Sequence, residues 1–230
     1  MANLELIEHF RSTYVPSSTR KTKTFAVNLN EAISPENIEK AITDSLAGFG
    51  PEYTRYFEFG LPADVSLLFI DVCGFSTKYQ HLEGEAIAEY FHKYYNIIVP
   101  IIDKYGGIVD KIIGDGIIAL FGPPFFTGTF EQAIQNAYGC SKEIIKYTKG
   151  GDYSSKVALH AGKINYFKNK TGIYNEFTMI GKPLTELFRL ESIAQNDCVN
   201  YYDGSLIRNW IAPNISYVRD TRYLPQSGYT

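Results

Sequence analysis

An α+β fold with a β-α-β-β-α-β core is what this sequence predicts, and three observations predict it. The run "VSLLFIDV", residues 65–72, has the length and β-branched content of a buried strand. The segments "IVDKII" and "IIALF" flank Gly114-Asp115-Gly116. That is a hairpin pattern, because Gly permits positive φ and Asp-Gly favours tight turns. Two long stretches, residues 83–107 and 129–151, read as helices that separate strands.

Each element follows in order. In the first helix Ile87, Phe91, Tyr94, Ile98, Ile101 and Tyr105 recur at three- and four-residue steps, which makes an apolar stripe. Pro100 is expected to kink this helix, and Gly106-Gly107 to stop it. After the hairpin and the second helix, "SKVALHAGKINYF" and "EFTMI" read as strands. "GKPLTELFRLESIAQND" reads as a helix begun at Pro183. "CVNYY", a short helix near Leu206, and "ISYVR" close the chain. The order gives a ferredoxin-like α+β sheet with added strands and with its helices on one face.

Residues 1–60 differ from this pattern and are read as an N-terminal extension, with residues 61–230 as the functional domain. "STYVPSSTRKTKTFAVNLN" is polar and weakly periodic. "SPENIEKAITDSLAGFG" reads as a helix with Ser34 as N-cap, Pro35 at its first position and Gly48 at its end. The extension offers no site of its own.

Composition narrows the functional classes. The 230 residues are 45% hydrophobic, enough for a packed core, and the formal net charge is −3. No long basic run occurs, which argues against a nucleic-acid partner. No apolar run reaches the roughly 18 residues of a membrane helix, so no membrane partner is expected. "MANLELIEHF" lacks the basic and apolar regions of a secretory leader. Cys73, Cys140 and Cys198 show no metal spacing and read as reduced thiols. A cytoplasmic location is expected.

The chemistry gathers around two aspartates. Asp71 ends the first strand and precedes "VCGFST", a glycine-containing turn whose backbone N–H groups can hold phosphate oxygens. Asp115 sits in the hairpin. In a βαββαβ sheet the first strand lies beside that hairpin, so the two carboxylates come close. Two like charges there need a cation. Mg²⁺ or Mn²⁺, shared with substrate phosphates, is the natural occupant. Two such ions about 4 Å apart can clamp the attacking and leaving oxygens of a displacement. The alternative reading of the pair is two structural turn aspartates.

Together, "LLFIDVCGFST", "YGGIVDKIIGDGIIALFGPP" and "MIGKPLTELFRLES" resemble the catalytic domain of class III nucleotidyl cyclases. That family's pattern is Asp-x-x-Gly-Phe-Ser/Thr, then Lys-x-x-Gly-Asp, then Gly-x-x-x-Asn-x-x-x-Arg-Leu-Glu. The resemblance spans about residues 65–220 in order. It implies a metal-dependent cyclase that converts a nucleoside triphosphate to a 3′,5′-cyclic nucleotide and pyrophosphate, with two Mn²⁺ or Mg²⁺ ions per site. Asp71, Asp115 and the Val72 carbonyl match the metal ligands. Phe75 and Ser76 match the turn that meets the triphosphate. Lys111 and Thr178 match the base-reading positions, and Arg189 matches the arginine that stabilises the transition state. The resemblance also implies a homodimer with active sites at its interface. One subunit would supply the aspartates and the other Lys111, Thr178 and Arg189.

The departures bear on the substrate. Thr185 stands where the family has Asn, and "KINYFKNKTGIYNE" replaces a glycine-rich stretch after "LHAG". Thr185 and Arg189 are one helical turn apart and share a face. A compact cyclase with an N-terminal extension and altered purine motifs resembles the pyrimidine cyclases of Pycsar antiphage systems. Those make cyclic UMP or cyclic CMP for a separate effector. The expected substrate is therefore UTP, with CTP and ATP as alternatives. A degenerate nucleotide-sensing domain is the non-enzyme alternative. A diguanylate cyclase or palm polymerase would share the core, but no Gly-Gly-Asp/Glu-Glu-Phe run occurs. His92 and His160 have no ligand spacing and read as structural.

Overall fold

Strand β1 (Pro62–Val72) is apolar on both sides. Val65, Leu67 and Phe69 belong to one buried core, and Leu68, Ile70 and Val72 to another. Side chains alternate across a strand, so these two sets lie on opposite faces of the sheet, and both faces need cover. That requirement organises the rest of the molecule. The computed structural model describes residues 4–19, 56–57, 59–170, 175–202 and 205–211. The helix expected at 34–50 and the strand expected at 215–219 lie outside these residues.

The elements in chain order begin with α1 (Leu4–Tyr14), followed by β1 and the single turn α2 (Phe75–Lys78). Next come α3 (Gly84–Lys104), β2 (Ile108–Ile113), β3 (Gly116–Phe121) and α4 (Phe130–Thr148). The chain continues through β4 (Ser155–Lys170), β5 (Asn175–Ile180), α5 (Lys182–Ser192), β6 (Val199–Asn200) and α6 (Leu206–Ile211). The sheet runs β2-β3-β1-β4-β5, with every neighbouring pair antiparallel, and β6 pairs parallel to β4. β1, α3, β2, β3, α4 and β4 make up the expected βαββαβ core.

Helices α3 and α4 cover the face of Leu68 and Ile70. From α3, Tyr94, Ile98 and Ile102 are fully buried, while Ile87, Phe91 and Tyr105 are half-buried. The helix runs on through Pro100 to Lys104, and Gly106 follows at φ +80°. Helix α4 opens with a reciprocal cap: Gln132 N–H donates to Thr129 Oγ1, and Thr129 N–H donates to Gln132 Oε1.

The helices are not confined to one face, as the sequence reading had them. Helix α5 packs on the other side, where Leu187 and Leu190 meet Leu67, Phe69 and Ala158. The cause is the two-sided apolar content of β1, which leaves a second face to bury. Gly162 allows the close approach. A Cβ there would stand 2.6 Å from Pro183 Cγ, at the start of α5.

Helix α1 was not foreseen either. It packs on α3 and β2, burying Ile7, Phe10 and Val15. Arg11 Nε donates to Asp103 Oδ1 at 2.8 Å, both side chains being more than nine-tenths buried. Tyr14 Oη lies 3.1 Å from His92 Nδ1, which gives His92 a packing role at this contact. No described helix is long and apolar enough to cross a membrane.

Candidate active site

The register of β1 against β3 sets Ile70 opposite Ile117. Asp71, the next-to-last residue of β1, therefore lies across from Gly116, beside Asp115. Between the paired Ile113 and Gly116, the hairpin loop consists of Gly114 and Asp115. Gly114 takes φ +60°, the first-position geometry that a two-residue hairpin reserves for glycine. Asp115 thus stands between two apolar strands as part of their turn. The turn holds it at the end of the sheet, next to the end of β1.

Asp71 is 16% exposed, and its pKa is pushed up to about 6. Burial is the first cause, and the neighbouring charge of Asp115 is the second. Lys156 acts the other way and Glu191 adds to the rise. A half-buried carboxylate whose ionisation is opposed by a neighbouring one is chemically suited to a divalent cation. A site of two carboxylates leaves positions for water and substrate oxygens, which suits Mg²⁺ or Mn²⁺. Among the described residues, no group of three or more His, Cys, Asp or Glu side chains is arranged to hold a metal ion. Any such ion would thus depend on these two aspartates, main chain and substrate.

The turn after β1 is fastened to the body of the domain. Cys73 N–H donates to Ser154 O at 2.7 Å, and buried Val72 is in register with Ser155. Gly74, at φ +67°, starts α2. Ser76 is exposed at this turn. The Phe75 ring points inward, with its centroid 4.8 Å from Phe91 and 5.3 Å from Tyr90. Phe75 therefore offers the turn its main chain, while its ring belongs to the core. Tyr79 and Tyr90 both donate their hydroxyls to Asp152 O, at 3.0 and 2.8 Å.

The remaining expected residues are spread over the sheet. Lys111 is opposite Ile118, on the face covered by α5, and its Nζ is 3.6 Å from Asp110 Oδ2. Asp110 sits at a register shift in β2, and burial pushes its pKa up to about 6. Thr178 pairs with Phe167 on β5. Its neighbours Tyr166 and Met179 join the core under α5, so Thr178 points to the other face. Lys111 and Thr178 thus occupy opposite edges and opposite faces of the sheet. Thr185 and Arg189 share the exposed side of α5. Nearby, Glu186 contacts His160 and Lys182, Glu191 contacts Lys156, and Asp197 accepts from Ser154 Oγ.

One residue beside Asp71 has no counterpart in the sequence analysis. Lys156 stands directly across from Asp71 in the β1–β4 ladder, with Nζ 3.3 Å from Asp71 Oδ2. The same Nζ is 2.7 Å from Glu191 Oε1 on α5. Burial alone would lower the Lys156 pKa, but the two carboxylates outweigh it and raise the value. His160, four residues along β4, contacts α5 as well: its Nε2 is 2.9 Å from Glu186 Oε2.

The sheet order and the helix on the second face match the fold of class III nucleotidyl cyclase catalytic domains. Solved structures with this fold include the catalytic core of a rhodopsin-guanylyl cyclase with converted specificity, in complex with ATPαS. It matches at TM-score 0.58 with 16% identity, over 66% of this chain and 83% of that one. The dimeric guanylyl cyclase domain of the RhoGC fusion protein from the aquatic fungus Blastocladiella emersonii also matches at 0.58 with 16% identity, over 66% and 86%. Among curated proteins, an adenylate cyclase of Anabaena cylindrica is 35% identical over 137 residues, 59% of this chain and 25% of that protein. The chain spans about a quarter of the length of the curated relatives it matches first. No protein-family model matches it.

Proposed function

We propose that residues 61–230 are the catalytic domain of a nucleotidyl cyclase, which converts a ribonucleoside triphosphate to a 3′,5′-cyclic nucleotide and pyrophosphate. The pairing of Asp71 with Asp115 at the end of the central strands carries this reading. A raised Asp71 pKa beside a second carboxylate supports a cation there, on a fold shared with cyclases.

Asp71 and Asp115, with the Val72 carbonyl, would hold Mn²⁺ or Mg²⁺. When bound, such ions neutralise phosphate charge and acidify an attacking hydroxyl. The chain's own residues do the rest. The main chain at Phe75 and Ser76 faces the triphosphate. Arg189 donates to phosphate oxygens where negative charge grows as the 3′-oxygen attacks the α-phosphorus and pyrophosphate departs. Thr185 orients the ribose through its hydroxyl. Lys111 donates to a base carbonyl, and Thr178 donates or accepts. Arg189 and Thr178 are turned away from Asp71 within one chain, which favours a site shared between two subunits.

The substrate we propose is UTP ahead of CTP, with ATP as the alternative that the adenylate cyclase relative favours. Thr185 in place of an asparagine and the altered segment from Lys163 to Glu176 support a pyrimidine. The product would serve as an antiphage signal read by a separate effector. Incubating purified protein with equal ATP, UTP, CTP and GTP plus Mn²⁺ tests both levels. Cyclic UMP should dominate, and Asp71→Asn or Asp115→Asn should abolish it without unfolding the protein. Dominant cyclic AMP overturns the pyrimidine assignment. Absence of any cyclic product overturns the cyclase.

A further inference from the structure

Asp71, Lys156 and Glu191 form a chain of charges from the end of β1, across β4, to α5. Lys156 is 19% exposed, Asp71 16% and Glu191 18%, so solvent screens these charges less than surface pairs. The contacts are unequal: 2.7 Å to Glu191 and 3.3 Å to Asp71. The tighter bond runs to the helix and the looser one to the metal-binding aspartate. An incoming divalent cation must compete with Lys156 for the Asp71 carboxylate. Lys156 can yield that contact and stay paired, because Glu191 still holds it.

The same pairing tethers α5. Lys156 and His160 lie on one face of β4, and Glu191 and Glu186 reach them from the buried side of α5. Thr185 and Arg189 occupy the opposite side of that helix. The helix bearing the phosphate-directed arginine is therefore pinned to the strand beside Asp71 at two points. One of the two pins is the residue that neutralises Asp71.

We infer that Lys156 is a positioning residue of the site: a resident cation that competes with divalent metal for Asp71 and, through Glu191, ties that carboxylate to the helix carrying Thr185 and Arg189. This rests on the metal-site reading above. It adds a control on metal affinity that the two aspartates alone do not provide.

The test is Mn²⁺ binding to the full chain without nucleotide, followed by titration calorimetry and by loss of the free Mn²⁺ paramagnetic signal. Lys156→Met should tighten Mn²⁺ binding about fivefold or more, because a positive charge within a few ångströms of the ligand is gone. Glu191→Gln should weaken it, because one negative charge is lost and Lys156 is left to Asp71. Lys156→Arg should stay near wild type. With Mn²⁺ saturating and UTP as substrate, Lys156→Met should still lose about tenfold in kcat, since a small displacement of a positioned group is costly. Opposite shifts in metal affinity separate this role from a structural one, which would lower thermal stability and leave affinity unmoved. An unmoved affinity in both Lys156→Met and Glu191→Gln overturns the inference while leaving the metal site intact. If Lys156→Met does not fold, Glu191→Gln decides alone, and wild-type or tighter binding there overturns it. Wild-type Mn²⁺ affinity in Asp71→Asn overturns the metal reading and this inference with it.

Discussion

Glu186 on α5 and His160 on β4 meet at 2.9 Å, Oε2 to Nε2, in a contact that is more than nine-tenths buried on the histidine side. The carboxylate accepts from Nε2–H, and buried Nδ1 has no hydrogen bond among the described residues. Tyr202 packs edge-on against the ring, and Lys182 bonds the other Glu186 oxygen at 3.3 Å. The pair joins the second-face helix to the sheet through a neutral imidazole.

The pH dependence of stability follows. Burial lowers the His160 pKa, and Glu186 only partly offsets it. The folded protein therefore resists protonation that the unfolded chain accepts. The contribution is intact above the ordinary histidine range. It falls as pH drops from there towards the lowered folded value, by up to about 1.4 kcal/mol per pH unit. Asp71 and Asp110, both pushed up to about 6, contribute slopes of opposite sign in this window, so the difference between wild type and His160→Gln in urea melts from pH 7.5 to 5.5 should carry the His160 slope. Equal slopes would assign the acid sensitivity elsewhere.

Arg11 and Asp103 give a second prediction. Their ion pair lies in the contact between α1 and α3, with side chains 9% and 7% exposed. Removing one partner leaves the other charge in the interior without this bond. Arg11→Met should cost about 3 kcal/mol or more of stability, and Asp103→Leu about as much. The double variant should recover much of that loss, because neither charge remains. Additive losses would mean that the pair acts through packing alone.

Much of this architecture is legible locally. β1, the hairpin and the caps of α4 and α5 depend on neighbouring residues: a β-branched run, Gly114-Asp115, Thr129 with Gln132, and Pro183. Asp71 and Asp115 could be paired on paper because β1 and the hairpin are adjacent in a βαββαβ sheet. Helix α1 left a weaker mark, Ile7, Phe10 and Tyr14 at helical steps, within a polar region read as an extension. Lys156 left none. Its meeting with Asp71 depends on the register of two strands separated by more than eighty residues, and its meeting with Glu191 on which face α5 covers. Likewise, nothing near Phe75 indicates that its ring joins Tyr79, Tyr90 and Phe91.

Gly162 gives a third prediction. A side chain there meets Pro183 at 2.6 Å, so Gly162→Ala must lift the start of α5 from β4. Asp71 and Asp115 lie beyond the far end of that β4 contact, since Asp71 pairs with Lys156. The variant should lose the proposed cyclase activity by about tenfold or more, as misplaced catalytic groups do, while Mn²⁺ binding without nucleotide is retained. Full activity would show that the seat of α5 is not needed for turnover.

The last prediction concerns the second subunit. Asp71 lies on the sheet face that α5 covers, but Arg189 stands on the outer side of that helix. Thr178 likewise points to the face opposite Lys111. On the edge hairpin of β4 and β5, Phe167 and Ile180 are each 50% exposed, apolar surface that a second copy of the chain would cover. A two-fold dimer that used these surfaces would generate two equivalent composite sites. Each would combine the aspartates of one copy with Arg189 of the other. Asp71→Asn and Arg189→Ala proteins should each be inactive as homodimers. After mixing and verified subunit exchange, a heterodimer has one site carrying both lesions and one carrying neither. Because half of the dimers at statistical exchange are mixed, and each has one of two sites intact, activity should return to about a quarter of wild type. Recovery near that level, measured as cyclic nucleotide formed per total protein, establishes the shared site. No recovery despite exchange would place Asp71 and Arg189 in the same subunit's site.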